Sequence, residues 1–212
     1  MPKWGSCDID KLQGLFDRME KLANLDIDQF CIDASREMAA RLLALVIPRT
    51  PVGRKPTLKR LGGEGASKTV KVKGTSGRSH TMLSREGAIL AEHWEGYIGG
   101  TLRRGWTAKS EAEAQQGGSG VSPSAYASSM PVTKTNGVYQ ITVINPINYT
   151  SYVEYGHRQT PGRYVPAIGK RLKRGWVPGQ YMLTISERQL SEIAPAILER
   201  KLNMLLKEAL NG

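Results

Sequence analysis

The sequence has few of the residues on which disulfide scaffolds, metal sites and membrane spans depend. It contains two cysteines, Cys7 and Cys31, and their spacing matches no zinc or redox motif. The histidines do not pair at the spacing of metal ligands; they are His80, His93 and His157. The longest apolar run, Leu42 to Ile47, is six residues long, against ~20 for a membrane span. We therefore expect no metal, no cofactor and no membrane contact, and a protein made in the cytoplasm without a signal peptide.

Motifs for catalysis are also missing. The segment from Gly62 to Thr69 fits the phosphate-binding pattern G-x-x-x-x-G-K-[ST] except that Ser67 replaces the last glycine, and no buried apolar strand precedes it. Ser119 lies in a glycine-rich stretch, but Val121 stands where a nucleophile elbow needs glycine. Nothing in the sequence defines a reaction, so we expect a protein that is not an enzyme.

Positive charge is abundant and unevenly placed. The chain has 30 Lys and Arg against 19 Asp and Glu, a net charge of +11. Residues 53–98 hold nine basic and four acidic residues, and residues 156–176 hold six basic residues and no acid. Both stretches are rich in Gly, Pro and Ser, which is typical of loops. Such loops either contact an acidic partner, such as nucleic acid, or only keep the protein soluble. The candidate DNA-facing or partner-facing residues are Lys59, Arg60, Lys68, Lys71, Lys73, Arg158, Arg163, Lys170, Arg171, Lys173 and Arg174.

The apolar periodicity predicts helices near both ends of the chain. Spacings of three and four residues predict helices over 9–24 and 28–47, or one jointed helix, with Asp28 as the N-cap of the second and Pro48 as its stop. A third helix is predicted over 184–210. Thr184 and Glu187 form a capping box at its start, and Pro195 should kink it.

Strand signals occupy the middle of the chain. The Asn136-Gly137 dipeptide predicts a β-hairpin between 130–135 and 138–144. Residues 101–108 are predicted to add a third strand, and residues 69–73 could form a short one. Residues 109–129 resemble a mobile linker, and residues 149–153 suggest one helical turn. These patterns predict an α+β fold in which long terminal helices pack on a small antiparallel sheet with long basic loop insertions.

We expect a single domain over residues 1–212. It divides into a helical part (1–48), a basic loop insertion (49–100), the sheet and its loops (101–183) and the C-terminal helix (184–212).

Four segments, taken in order, resemble one family. They are Thr50-Pro51-Val52, then residues 100–106 (GTLRRGW), residues 148–158 (NYTSYVEYGHR) and residues 175–184 (GWVPGQYMLT). This order is similar to that of the tail-component family of HK-type long-tailed phages and prophages. Over residues 28–210 the likeness departs at one place, where residues 53–98 are inserted between the first two segments.

The resemblance implies a structural virion protein rather than an enzyme. Such a protein would form a homo-oligomeric ring at the phage neck and join or complete the tail. Its partners would be the connector or head-closure protein and the tail-terminator or tail-tube protein, with non-specific contact to packaged DNA. It would be assembled in the host cytoplasm. A head-to-tail interface closes into a ring when the rotation per subunit divides a full turn. The alternative is a non-specific nucleic-acid-binding protein.

The residues of the resembling segments have two interpretations. As a subunit interface, the candidates are Arg103, Tyr152, Glu154, Tyr155 and His157. As plain structural residues, the tyrosines would only pack in the core, and Glu154 would form a surface ion pair with the neighbouring basic loop. Trp106, Trp176 and Met182 are expected in the core.

Overall fold

The computed structural model describes residues 9–53, 69–73, 77, 79–83, 92, 94–117, 120–165 and 170–211. Helices and short antiparallel strand pairs alternate along the chain, and long helices lie near its two ends, which confirms the predicted α+β class. The helices are α1 (Ile9–Ala23), α2 (Ile27–Arg49), α3 (Thr101–Gly105), α4 (Glu111–Gln115), α5 (Pro123–Ser129), α6 (Thr150–Tyr155) and α7 (Met182–Asn211). The strands are β1 (Thr69–Lys73), β2 (Ser79–Leu83), β3 (Thr133–Thr135), β4 (Val138–Gln140), β5 (Gly156–Arg158), β6 (Tyr164–Val165), β7 (Lys170–Arg171) and β8 (Trp176–Pro178).

The chain divides into two compact units. The first comprises Met1–Ala44, Pro123–Val143 and Ile185–Gly212, and the second comprises Leu45–Ser122 and Ile144–Thr184. That the whole chain acts as one functional domain stays a prediction. Among the described residues, no helix combines the length and the apolar character needed to cross a bilayer.

The start of α2 in the first unit corrects a predicted cap. Asp26, not Asp28, is the N-cap, because its carboxylate accepts from the Gln29 backbone N–H at 2.8 Å. Asp28 lies in the first turn and accepts from Lys134 Nζ at 2.8 Å and from the Tyr139 hydroxyl. The Lys134 ammonium also lies 5.2 Å from the centre of the Tyr139 ring. This exposed trio ties the β3–β4 hairpin to the beginning of α2.

The stabilisation by this trio should depend on pH at both ends of the range, because Asp28 titrates in acid and Tyr139 in base. The hydrogen bond from Lys134 lowers the pKa of Asp28 below 3.8, and the hydrogen bond to Asp28 raises the pKa of Tyr139 above 10.0. A carboxyl group with a lowered pKa stabilises the fold at pH values above the ordinary pKa of that group. A tyrosine with a raised pKa stabilises the fold at pH values below the ordinary pKa of tyrosine. The contribution of these hydrogen bonds to the free energy of unfolding is therefore complete between about pH 4 and 10, and it is lost outside that window.

We expect Asp28→Asn to return the pKa of Tyr139 towards 10.0, because it removes the negative charge that holds the phenol protonated. The measurement is a titration of the Tyr139 ring carbon by NMR in the two proteins. Asp26→Asn is the control, since an amide oxygen still caps the helix and the trio is untouched. Identical Tyr139 titrations in wild type and Asp28→Asn would show that the trio does not form in solution.

The predicted three-stranded sheet is wrong. The described strands form four two-stranded antiparallel pairs: β1 with β2, β3 with β4, β5 with β8 and β6 with β7. Residues 101–105 are helical, and Leu102 and Trp106 are both buried. Their spacing of four residues places two side chains on one face in a strand and in a helix alike, so the apolar pattern did not discriminate.

The hairpin prediction is confirmed at its turn and shortened in its strands. Asn136 and Gly137 have φ angles of 50° and 77°, as a type I′ turn requires, and Thr133 pairs with Gln140 at the open end. The second strand ends at Gln140 and not at Ile144. Pro131, two residues before Thr133, has no N–H to offer a longer ladder.

Several other boundaries differ from the predictions. The helix α2 continues through Pro48 to Arg49, and α7 begins at Met182 and contains Pro195, so Thr184 lies in its first turn rather than at its cap. The strand over 69–73 is confirmed as β1, and the helical turn near 149–153 as α6.

The expected linker over 109–129 contains two short helices, α4 and α5. Ser110 caps α4 by accepting from the Glu113 N–H at 3.3 Å, and the Glu113 carboxylate accepts from the Lys109 N–H at 2.7 Å. The Ser-x-x-Glu spacing was visible in the sequence and was missed. That this segment is cut first by protease stays a prediction.

Candidate functional site

The core of the second unit is organised around Trp106 and the end of α2. Trp106 is 1% exposed, and its indole N–H donates to the Thr50 hydroxyl at 2.7 Å; that hydroxyl donates in turn to the Val46 carbonyl at 2.8 Å. Arg103 donates to the Thr50 carbonyl at 2.7 Å and to the Pro48 carbonyl at 3.2 Å. The last carbonyls of a helix have no partner within the helix, so the Arg103 guanidinium completes the C-terminus of α2.

Glu154 forms the central junction of this unit. Glu154 is buried, with 3% of its surface exposed. Both carboxylate oxygens accept hydrogen bonds from the beginning of α7. The donors are the Leu183 N–H at 2.9 Å, the Thr184 N–H at 2.9 Å and the Thr184 hydroxyl at 2.8 Å. A carboxylate at a helix N-terminus satisfies free N–H groups and interacts favourably with the helix dipole. The expected surface ion pair of Glu154 is therefore corrected to a buried cap of α7.

Backbone hydrogen bonds hold the end of α6 close to the segment between β8 and α7. The Gln180 N–H donates to the Val153 carbonyl at 2.8 Å, and the Tyr181 N–H to the Glu154 carbonyl at 3.0 Å. A Cβ at Gly179 would lie 2.2 Å from the Glu154 carbonyl oxygen, so only glycine fits there. Gly156 has a φ of 85°, and a Cβ on it would lie 2.4 Å from the Val177 carbonyl oxygen. Glu154, Gly156 and Gly179 therefore belong to one closely packed junction, which we call the Glu154 joint.

This joint carries aromatic side chains that the fold leaves outside the core. We call them the aromatic surface: Tyr149, Tyr152, Tyr155, Trp176 and Tyr181. Their exposed fractions run from 40% at Tyr149 to 60% at Tyr152 and Tyr155, and Trp176 is 51% exposed. The expectation that Trp176 lies in the core is wrong, whereas Trp106 and Met182 are buried as expected.

His157 is partly buried beside the aromatic surface. Its ring lies edge-on to Tyr152, with 5.9 Å between ring centres. Its Nδ1 is buried and has no hydrogen-bond partner among the described residues. Such a nitrogen is costly to leave unpaired.

The predicted interface residues divide into two groups. Tyr152 and Tyr155 present their rings outward, with His157 beside them, whereas Arg103 and Glu154 use their polar atoms within the unit. Direct contact of any of the five with a neighbouring subunit stays a prediction. Sequence reasoning did not find the structural roles of Arg103 and Glu154, because their partners lie 53 and 30 residues away.

The predicted basic residues are only partly within the described structure. Lys59, Arg60 and Lys68, like most of the near-match to a phosphate-binding loop, lie outside the described residues, and Lys71 and Lys73 belong to β1. The remaining six are all exposed: Arg158, Arg163, Lys170, Arg171, Lys173 and Arg174. Residues 156–176 are not a simple loop, because they contain β5, β6, β7 and the start of β8.

A cleft of ≈ 440 Å³ lies in the second unit between residues 51–53, the start of α3 and α6. Tyr97, Tyr149 and Val153 line it, and burial raises the pKa of Tyr149, with smaller contributions from Tyr97 and Glu111. Across the described part of the chain, no cluster of three or more His, Cys, Asp or Glu side chains could hold a metal ion. The cleft is lined by apolar side chains and by the phenols of Tyr97 and Tyr149.

Comparison with protein-family models, with curated proteins and with solved structures finds no match to this chain.

Proposed function

We propose that this protein is a structural virion component that assembles into a ring at the neck of a long-tailed phage, where it joins or completes the tail. The observation that carries the proposal is the aromatic surface on the rigid Glu154 joint. It lies in the segments, residues 148–158 and 175–184, whose order and motifs resemble the tail-component family.

The composition of this surface favours protein–protein contact. Tyrosine and tryptophan are enriched at interfaces, because they bury a large area at little cost in conformational entropy and keep a polar group for the rim. Large apolar patches are rare on monomeric proteins unless they bind something. We propose that a partner covers the five aromatic side chains of this surface, which are 40–60% exposed in the free subunit.

The joint beneath the rings supports the same role. Glu154, Gly156 and Gly179 hold α6, β5, β8 and the start of α7 in one arrangement through buried hydrogen bonds and close backbone contacts. Aromatic side chains held on a pre-organised backbone lose little conformational freedom on binding. A second copy of the chain is the partner we propose, since a head-to-tail contact between identical subunits can close into a ring.

The ring can be tested on the purified full-length chain. We expect sedimentation velocity to show one closed oligomer, and the Tyr152→Ser, Tyr155→Ser double variant to remain monomeric with an unchanged circular dichroism spectrum. The reason is that the side chains of Tyr152 and Tyr155 are each 60% exposed, so their replacement removes area from the proposed interface and not from the core. Tyr164→Ser is the matched control, because Tyr164 is also exposed (43%) but lies away from the joint, on β6.

Two results would contradict the proposal. One is a wild-type chain that stays monomeric at every concentration and is absent from purified particles in labelled electron micrographs. The other is a Tyr164→Ser control that disrupts the oligomer as strongly as the double variant. Label at the head–tail junction would support the neck position, and label elsewhere on the particle would move the ring to that place.

A further inference from the structure

The described residues 156–165 and 170–178 form a two-stranded antiparallel ribbon, which we call the basic β-arm. At its base, Gly156 pairs with Pro178 and Arg158 with Trp176, and farther along Tyr164 pairs with Arg171 and Val165 with Lys170. The Gln159 N–H donates to the Gly175 carbonyl at 2.9 Å between the two pairs. The two sides of the arm are therefore hydrogen-bonded to each other at its base, in its middle and towards its far end.

A turn with a bulge shapes the middle of the arm. Thr160-Pro161-Gly162-Arg163 has the proline and the positive φ (84° at Gly162) of a type II turn, and the Arg163 N–H donates to the Thr160 carbonyl at 3.2 Å. Gly162 and Arg163 together oppose Leu172: the Gly162 N–H donates to the Leu172 carbonyl at 2.8 Å, and the Leu172 N–H to the Arg163 carbonyl at 2.9 Å. This is the pattern of a glycine bulge, so the arm has a specified shape.

The charges of the arm have one sign. All six of its cations are exposed, and its sequence contains no Asp or Glu. Arg171 donates to the Gly162 carbonyl at 2.7 Å. Of the carboxylates that the structure describes, none forms an ion pair with any of the six. Like charges gathered without counter-charges repel one another, and an anionic partner would relieve that repulsion.

We propose that the basic β-arm binds the phosphate backbone of double-stranded DNA without reading its sequence. A two-stranded β-ribbon is narrow enough to enter the major groove of B-form DNA. Lys and Arg side chains supply phosphate contacts, and such contacts carry no sequence information. The proposal goes beyond ring assembly and does not depend on it.

The number of cations sets the expected salt dependence. If all six contact phosphates, the logarithm of the binding constant should fall with the logarithm of salt concentration with a slope of about −5. Affinity for a mixed-sequence duplex should then drop on the order of 10³-fold between 50 and 200 mM salt. Several duplexes of different sequence should bind alike.

The test is fluorescence anisotropy of a labelled duplex with the full-length chain. We expect the Lys170→Gln, Lys173→Gln, Arg174→Gln triple variant to reduce the slope by about 3 and to weaken binding to every duplex equally. The control is Arg188→Gln, Arg200→Gln, Lys207→Gln, which removes the same charge from exposed positions of α7. It should bind nearly as tightly as wild type.

Each contrary outcome has a distinct meaning. No binding at low salt, or equal losses in the two triple variants, would overturn the proposal, since net charge and not the arm would then be responsible. Polyglutamate competing as well as unlabelled duplex would also overturn it and indicate an acidic protein partner. Binding that persists in the Tyr152→Ser, Tyr155→Ser variant separates the arm from the ring, so that failure of one proposal leaves the other standing.

Discussion

Glu154→Gln is expected to lower the free energy of unfolding by about 3 kcal/mol, because three hydrogen bonds to a buried carboxylate are disturbed at once. A glutamine can present only one oxygen to the start of α7, and its amide group would face the backbone N–H of Leu183 or Thr184. Urea unfolding followed by circular dichroism measures the loss. Amide hydrogen exchange at Leu183 and Thr184 should accelerate more than at other sites in α7.

Glu187→Gln is the matched control, because Glu187 lies in the same part of α7 but is exposed. Its effect should stay within about 0.5 kcal/mol. An equal loss in the two variants would mean that helix charge, and not the buried cap, accounts for the result. Unchanged exchange at Leu183 and Thr184 in Glu154→Gln would show that the junction does not persist in solution.

Trp106→Ala is expected to cost about 3–5 kcal/mol, the usual range for removing a fully buried aromatic side chain. The side chain is 1% exposed, and its loss also leaves the Thr50 hydroxyl without the indole donor. Thermal unfolding of the purified variant measures the effect. Trp106→Phe should recover most of the packing and leave only the missing hydrogen bond, about 1 kcal/mol.

Trp176→Ala provides the contrast within the same unit. Because Trp176 is 51% exposed, its replacement should change stability by less than about 1 kcal/mol. If the aromatic surface is a subunit interface, the same change should weaken the oligomer. A Trp176→Ala variant that unfolds as readily as Trp106→Ala would place Trp176 in the core, against the structure.

The sequence was informative for several features that depend on residues close together in the chain. The terminal helices followed from apolar spacing, and the hairpin turn followed from Asn136-Gly137, since only a few residue types accept two successive positive φ angles. The separation of a helical beginning and end from a middle with strand signals also gave the α+β class.

Short elements were less accessible. Leu102 and Trp106 fit a strand and a helix equally well, and the helix is accompanied by contacts with residues distant in sequence. The Asn145 amide donates to the Leu102 carbonyl at 2.9 Å, and a Cβ at Gly105 would lie 2.3 Å from the Asn145 Oδ1. Neither contact is encoded in the local pattern.

The sequence by itself determined the class of fold, the two long helices, the hairpin turn and the concentration of positive charge between Gly156 and Trp176. Only the tertiary structure decided that Glu154 is a buried cap, that Trp176 is outside the core, and that the basic stretch is a shaped β-arm. The physical reason is range. Helix periodicity and turn preference act over a few residues, whereas the partners of Glu154 and Arg103 lie 30 and 53 residues away and meet them only after folding.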